Sequence, residues 1–447
     1  MDTMDTNNRK IYIETYGCQM NFSDSEIVGS ILTAEQYAIT DDINEADYIL
    51  INTCAIRDNA EQRIRKRLRE LKALQRKRPH LRIGVLGCMA ERLKDALMEE
   101  EDNVSLVAGP DAYRSLPALL KDVDSGHKAA NVLLSEEETY GEIDPVRLGS
   151  NGISAFISIM RGCENFCAYC VVPYTRGRER SRDPHTIVDE ARRLFEKGYK
   201  EVTLLGQNVN SYHWNEGGTA VNFPELIRRV AEINPRLRVR YATSHPKDLS
   251  DELIDVMASY DNICKCIHLP VQSGSNHMLK AMNRKYTVEW YMDRIEAIRR
   301  RMPDCAITTD VIAGFCGETI EDHLQTLELF SKVGYDYAFM FKYSMRPNTY
   351  AHKYLKDDVP EEEKTRRLEE IIKLQGELSL ESYRRDVGRR FEVLVEGTSK
   401  RNKAQLFGRN SQNKVIVFDG EGHSKGEYLT VEVTSCTSAT LMGHIVK

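Results

Sequence analysis

The chain has 447 residues, 41% hydrophobic and 29% charged, with a formal net charge of -6 and a mean hydropathy of -0.48. This is the balance of a soluble globular protein with roughly two to four cores, and it excludes a disordered or collagen-like chain. No apolar run approaches the length of a membrane span. The opening MDTMDTNNRK has neither an apolar secretory core nor an Arg/Ser-rich transit pattern, so the expected compartment is the cytoplasm. Eleven cysteines in a reducing compartment point to metal, redox or catalytic roles rather than disulfides.

In chain order, short apolar runs at Lys10–Thr15, Tyr48–Asn52, Leu81–Leu86 and Ser105–Ala108 alternate with amphipathic stretches, which predicts an open parallel α/β domain over residues 9–126. Three of these strands run into Gly17-Cys18, Asn52-Thr53-Cys54 and Gly87-Cys88. Strand carboxyl ends share one edge of such a sheet, so Cys18, Cys54 and Cys88 are expected to be neighbours. One such cysteine alone would suggest a buried structural thiol; three in equivalent positions argue for a site. Residues 127–148 lack periodicity and read as a linker.

Over 149–382 the alternation resumes at a longer period, with strands expected at Ala155–Met160, Glu201–Leu205, Arg238–Thr243, Lys265–Leu269, Ile307–Ala313 and Tyr337–Tyr343. Helical patterns at Pro184–Lys197, Tyr291–Arg301 and Ile320–Val333 separate them, as in a partial (β/α)6 barrel whose chemistry sits at the strand carboxyl ends. A charged helical run, Glu361–Arg385, follows. Five short strand signals over 383–447 suggest a small antiparallel, OB-like barrel. Basic residues outnumber acidic ones in this tail, and also in Arg57–Arg78, where 10 Lys/Arg face 3 Asp/Glu. Each stretch is either a solvated face or part of a polyanion footprint.

The sharpest motif is Cys163-Glu-Asn-Phe-Cys167-Ala-Tyr-Cys170, directly after the first barrel strand. Three thiolates on one loop can hold three irons of a four-iron, four-sulfur cluster and leave the fourth open, as a catalytic centre needs. A zinc knuckle would need a fourth ligand that the neighbouring sequence does not offer. Cys264, Cys266, Cys305 and Cys436 have no ligand-like spacing and read as structural thiols.

This motif, with Tyr169 before its last cysteine, resembles the radical S-adenosylmethionine superfamily. With the three upstream cysteines and the terminal β-domain, the whole of 9–447 resembles the methylthiotransferases. Gly17-Cys18-Gln19-Met20-Asn21, Asn52-Thr53-Cys54-Ala-Ile-Arg57 and Val171-Val172-Pro173-Tyr174-Thr175-Arg176-Gly177 are similar to the MiaB type within them. The resemblance implies radical methylthiolation of the N6-isopentenyladenosine beside a tRNA anticodon, at an inert carbon–hydrogen bond that protein acids and bases are ill-suited to replace. It implies two 4Fe-4S clusters, one on Cys163, Cys167 and Cys170 and an auxiliary one on Cys18, Cys54 and Cys88, together with S-adenosylmethionine. It places Tyr169 against the cofactor's adenine and Gln207-Asn208 at its methionine end, and it gives the tail to a tRNA-holding TRAM domain; Gln272, Ser273 and Gly314, on loops after the fourth and fifth strands, are further cofactor candidates, and each of these loops also reads as ordinary turn chemistry. Cys316 stands where the family has proline.

Gln19 and Asn21 are candidates for substrate or cluster contacts, or for ordinary loop capping. Arg176, Arg178, Arg180 and Arg182 would share one face if extended, suited to RNA phosphates. An electron donor and a sulfur donor are required partners; nothing calls for a membrane or for more than a monomer. Two readings stay open beside this one. The same chemistry could act on threonylcarbamoyladenosine or on a ribosomal-protein aspartate, or the chain could be a non-catalytic RNA-binding protein with zinc at its cysteines.

Overall fold

The computed structural model describes residues 9–54 and 58–446. The opening residues 1–8 and the Ala55-Ile56-Arg57 end of the second cysteine motif lie outside the described residues.

Six parallel strands form the first sheet: β1 (Lys10–Thr15), β2 (Ala38–Ile39), β3 (Tyr48–Thr53), β4 (Arg82–Gly87), β5 (Leu106–Ala108) and β6 (Ala129–Asn131), in the order β2-β1-β3-β4-β5-β6. Every residue of β3 is buried, which is why its sequence YILINT is an unbroken apolar-to-polar run rather than an alternation. Four of the six match the expected strands. The remaining two, of two and three residues, are too short to carry a period. Residues 127–148 are correspondingly not all linker: β6 completes the sheet, and Tyr140 is buried in its core beside Tyr113.

The central domain follows the expected pattern closely. Its strands are β7 (Ser154–Ser158), β8 (Glu201–Leu205), β9 (Arg238–Ala242), β10 (Cys266–His268), β11 (Ala306–Ala313) and β12 (Tyr337–Lys342). They make two three-stranded parallel sheets, β9-β8-β7 and β10-β11-β12, joined by a parallel bridge from Val239 to Ile263. The result is an open barrel whose strand residues Ile157, Val202, Leu204, Val239, Ile267 and Val311 pack in one core with the surrounding helices.

The last domain is a closed barrel of β13 (Arg390–Thr398), β14 (Gln405–Arg409), β15 (Val415–Asp419), β16 (Tyr428–Cys436) and β17 (Leu441–Ile445), ordered β13-β14-β15-β17-β16 and sealed by β13 against β16. All its pairs are antiparallel except β15 with β17, a departure from the antiparallel barrel expected. It docks at the amino ends of the central strands: Tyr428 donates to the carbonyls of Lys200 and Arg236, and Arg238 donates to that of Arg409. No helix among the described residues is long and apolar enough to cross a membrane.

Candidate active site

The first cysteine triad is built by close approach of three strand ends. Cys18 caps the Gln19–Ala34 helix in extended conformation, and its thiol and backbone N–H both lie against Asn21 Oδ1. Asn21 Nδ2 donates to Asn52 Oδ1 at 3.2 Å and to the Thr53 carbonyl at 3.1 Å, while Asn52 Nδ2 returns a bond to the Asn21 carbonyl at 2.9 Å. Thr53 in turn donates to the Leu86 carbonyl at 2.7 Å, so β1, β3 and β4 are tied together where their cysteines emerge. Two glycines make this possible. A Cβ on Gly17 would lie 2.8 Å from Cys54 Cβ, and one on Gly87 (φ +89°) would lie 2.5 Å from Asn52 Oδ1 and 2.6 Å from the Thr53 carbonyl. Cys54 and Cys88 are buried and Cys18 is exposed, which leaves the group open on one side. Burial pushes the Cys88 thiol up; nearby Arg176 opposes this and Cys18 adds to it.

The second triad sits on a loop held from several directions. Cys163 N–H donates to the Gly177 carbonyl, Ala168 N–H to that of Met282, and Ala351 N–H to that of Ala168. Asn283 Nδ2 caps the Phe166 carbonyl at 2.8 Å. Each sulfur accepts one N–H: Asn165 Nδ2 on Cys163 at 3.5 Å, Arg284 Nη1 on Cys167 at 3.2 Å, and Val172 N–H on Cys170 at 3.4 Å. Burial, with its thiol neighbours adding to it, pushes Cys163 up to about 11 and Cys170 higher still. Three crowded thiols of this kind can all ionise only against a local cationic charge, which an iron centre supplies. The donor set therefore fits a metal cluster. Among the described residues no three His, Cys, Asp or Glu side chains are grouped to clasp a single metal ion; a cubane spreads its ligands over separate corners.

The two triads share one interface. Cys88 packs against Val171, the residue after Cys170, and accepts Arg176 Nε at 3.2 Å. Around them the first and second domains are joined by buried ion pairs: Asp24 with Arg161 and Arg176, Asp111 with Arg161 and Arg180, and Arg147 with Glu26 and Glu190. Arg182 also pairs with Glu190. This corrects the phosphate-binding expectation for the arginine run. Arg176 and Arg180 are buried in interdomain pairs and Arg182 in a pair within its own domain because the segment turns inward, and Arg178 alone of the four is exposed.

At the carboxyl ends of β7, β8 and β9, Ser158 Oγ, Gln207 Oε1, Asn208 Oδ1, both side-chain polar atoms of Asn210, and Ser244 Oγ are buried without partners. Unpaired polar atoms cost about 1–3 kcal/mol each unless ordered water or a ligand satisfies them, so these groups are free to bind a polar molecule. Thr243 (φ +74°), at the end of β9, and Gln272 (φ +70°) hold left-handed backbone that side chains disfavour, as residues beside ligands often do. Tyr169 is half-buried, with its ring edge-on to Phe315 at 6.3 Å. Ser273 is instead 3.4 Å from Thr326 Oγ1 and caps Ser275, and Gly314 admits Lys364 where a Cβ would clash at 2.3 Å. Gln19 is exposed beside Cys18, whereas Asn21 is consumed by the strand-end network. Sequence reasoning missed Ser158, Asn210, Ser244 and Arg284. The strand-end position could have flagged the two serines; the arginine had no such signal.

An open parallel barrel carrying CxxxCxxC on its first loop, with these polar groups at its strand ends, is the architecture of a radical S-adenosylmethionine enzyme. The radical SAM superfamily pattern matches residues 157–330, the TRAM domain 384–446, and "Uncharacterized protein family UPF0004" 10–109. The tRNA-2-methylthio-N(6)-dimethylallyladenosine synthase of Bacteroides fragilis is 58% identical over 98% of this chain and 96% of its own, and that of Porphyromonas gingivalis W83 is 55% identical over 98% and 95%. Among solved structures, the radical S-adenosylmethionine methyltransferase TsrM from Kitasatospora setae, with cobalamin and a [4Fe-4S] cluster, shares the fold at a TM-score of 0.56 and 14% identity, over 77% of this chain and 74% of its own. The chain belongs to the tRNA-2-methylthio-N(6)-dimethylallyladenosine synthase family.

Proposed function

We propose that the protein methylthiolates carbon 2 of the N6-isopentenyladenosine next to the anticodon of tRNA, in the cytoplasm and as a monomer. The observation that carries the reading is the juxtaposition of Cys88 with Val171, the residue after Cys170, which brings the two cysteine triads to one interface. Cys163, Cys167 and Cys170 would hold the cluster that works on S-adenosylmethionine, and Cys18, Cys54 and Cys88 an auxiliary one. When bound, these groups supply one-electron cleavage of the cofactor's sulfonium and an iron site for the transferred sulfur.

The protein's own part is positioning. The N–H donors to the second triad orient its thiolates. Ser158, Gln207, Asn208, Asn210 and Ser244 would offer the donors and acceptors that a methionine-like moiety and a ribose require, and Tyr169 would contribute an aromatic face for the adenine. The buried interdomain pairs hold both triads in register and keep water from the interface. The terminal barrel binds tRNA, and an electron donor and a sulfur donor complete the cycle.

The test uses anaerobically reconstituted protein, S-adenosylmethionine, a strong reductant and isopentenylated tRNA, with mass spectrometry of the digested nucleosides. A methylthio gain on that adenosine, lost in Cys18→Ala and in Cys163→Ala, is expected. If 5′-deoxyadenosine forms while the tRNA stays unchanged, the substrate assignment is wrong. A colourless protein that takes up neither iron nor sulfide would end the enzyme reading.

A further inference from the structure

Among the described residues, two buried arginines donate to cysteine sulfurs, one to each triad: Arg176, which shares Asp24 with Arg161, and Arg284, which no carboxylate pairs. The first belongs to the interdomain cluster of Arg161, Arg176 and Arg180, whose carboxylate partners are Asp24 and Asp111. That is three positive charges against two negative. The neighbouring cluster makes the contrast: Arg147 and Arg182 face Glu26 and Glu190, two against two. The surplus lies at Arg176, 3% exposed, whose Nε reaches Cys88 Sγ at 3.2 Å and whose Nη1 has no partner. Arg284 is 7% exposed and bonds to Cys167 Sγ at 3.2 Å, the Pro270 carbonyl at 2.8 Å and Tyr286 Oη at 3.1 Å. No carboxylate pairs with it among the described residues. A buried cation short of anionic charge is unfavourable, so Arg284, with no carboxylate, and Arg176, with half a share of Asp24, each find further negative charge in the sulfur centre beside them.

We infer that Arg176 and Arg284 are matched positioning residues, one to each triad, that set the reduction potentials of the two iron–sulfur centres separately. A positive charge and an N–H···S bond favour the more negative, reduced form of a cluster, so each arginine holds its own centre at a higher potential than the thiolates alone would give. The assignment of Arg176 rests on the proposed auxiliary cluster; that of Arg284 does not. Neither side chain touches the substrate, and their role is exerted through Cys88 and Cys167.

The experiment is potentiometric titration of the reconstituted full-length protein, followed by electron paramagnetic resonance. The triple Cys18/Cys54/Cys88→Ala and Cys163/Cys167/Cys170→Ala variants first assign the signals. If the former loses no iron, the two-cluster reading fails and Arg176 loses its role, whereas Arg284 remains testable. With signals assigned, Arg176→Gln is expected to shift only the auxiliary midpoint to more negative potential, and Arg284→Gln only the other. Arg176→Lys and Arg284→Lys, which keep the charge and lose the planar fork, should fall between. Where a Gln variant cannot be loaded, its Lys counterpart decides: a wild-type midpoint there overturns the inference. So does a shift that affects both centres equally, since a merely structural loosening of the interface would produce that.

Discussion

Asp24 of the first domain accepts Arg161 of the second at 2.8 Å, with side-chain exposures of 0% and 1%. Asp24 also takes Arg176 at 2.7 Å, so one carboxylate bolts the helix after Cys18 to both flanks of the CxxxCxxC loop. Burial would raise the Asp24 carboxyl, but the two guanidiniums outweigh it and hold the group below the usual carboxylate range. Asp24→Ala leaves Arg176 without a carboxylate and Arg161 with Asp111 alone, and removing one partner from a buried pair typically costs about 3–5 kcal/mol. The expected outcome is a destabilised interface, read as faster proteolysis between the domains and an earlier first transition in urea. Asp24→Asn should be milder because it keeps the shape. The depressed carboxyl contributes stability above its unfolded value near 4, lost as pH falls through the folded value, so wild type and Asp24→Asn should converge only in strong acid.

Gly87→Ala tests the packing of the first triad. At φ +89° any Cβ is strained, and this one would overlap Asn52 Oδ1 and the Thr53 carbonyl. Strain of this kind costs about 1–3 kcal/mol before the clash is counted. The strand-end network should yield before the fold does. The variant is expected to lose the iron bound at the first triad and keep that at the second, as measured by iron and sulfide content after reconstitution. Full iron content would show that the network tolerates the shift.

Much of this arrangement was legible because the barrel strands carry periodic apolar runs long enough to read: Glu201–Leu205 was placed to the residue, and Ile320–Val333 likewise as a helix. The cysteine triads were legible because the edge rule of parallel sheets converts strand ends into neighbours. What escaped was what depends on tertiary charge balance. Arg176, Arg180 and Arg182 look in sequence like a basic stripe, and nothing local reveals that Asp24 and Asp111, from another domain, and Glu190, from the next helix, take them inward. Arg284 has no motif of its own; only the return of its loop to Cys167 gives it meaning. The strands β2 and β6 escaped for the opposite reason, being too short to contain a pattern.

Glu26 gives the interface a pH dependence of opposite sign. Burial pushes its carboxyl up to about 7 in spite of Arg147, while its unfolded value is near 4.5. A carboxyl with a raised folded value stabilises the folded state in its protonated form, fully below the unfolded value, and that contribution is lost as pH rises through 7. Domain docking should therefore tighten as pH falls from about 8 to 5. Glu26→Gln should flatten the slope, leaving Arg147 paired with Glu190 at 2.6 Å. Urea midpoints of the interdomain transition at several pH values check this; an unchanged slope in Glu26→Gln would remove Glu26 as its source.

Lys400, Arg401 and Lys403 lie exposed on the turn between β13 and β14 of the terminal barrel, where RNA phosphates could meet them without cost to the core. In the basic helix of the first domain, by contrast, Arg65, Arg67 and Lys72 are engaged by Glu61, Glu14 and Asp102, leaving Lys66, Arg69, Arg76 and Lys77 on the exposed side. Exposed cations contribute to RNA binding mainly by releasing counterions, so removing each phosphate contact lowers the slope of log affinity against log salt by about 0.7–0.9. Changing Lys400, Arg401 and Lys403 together to Ala should weaken tRNA binding most at low salt and reduce that slope by about 2–3 if all three touch phosphate. Iron content and uncoupled cleavage of S-adenosylmethionine should be unchanged, since the terminal barrel that carries this turn docks at the amino ends of the central strands. A slope equal to that of wild type would move the RNA footprint off this barrel and onto the exposed side of the Asp58–Lys77 helix.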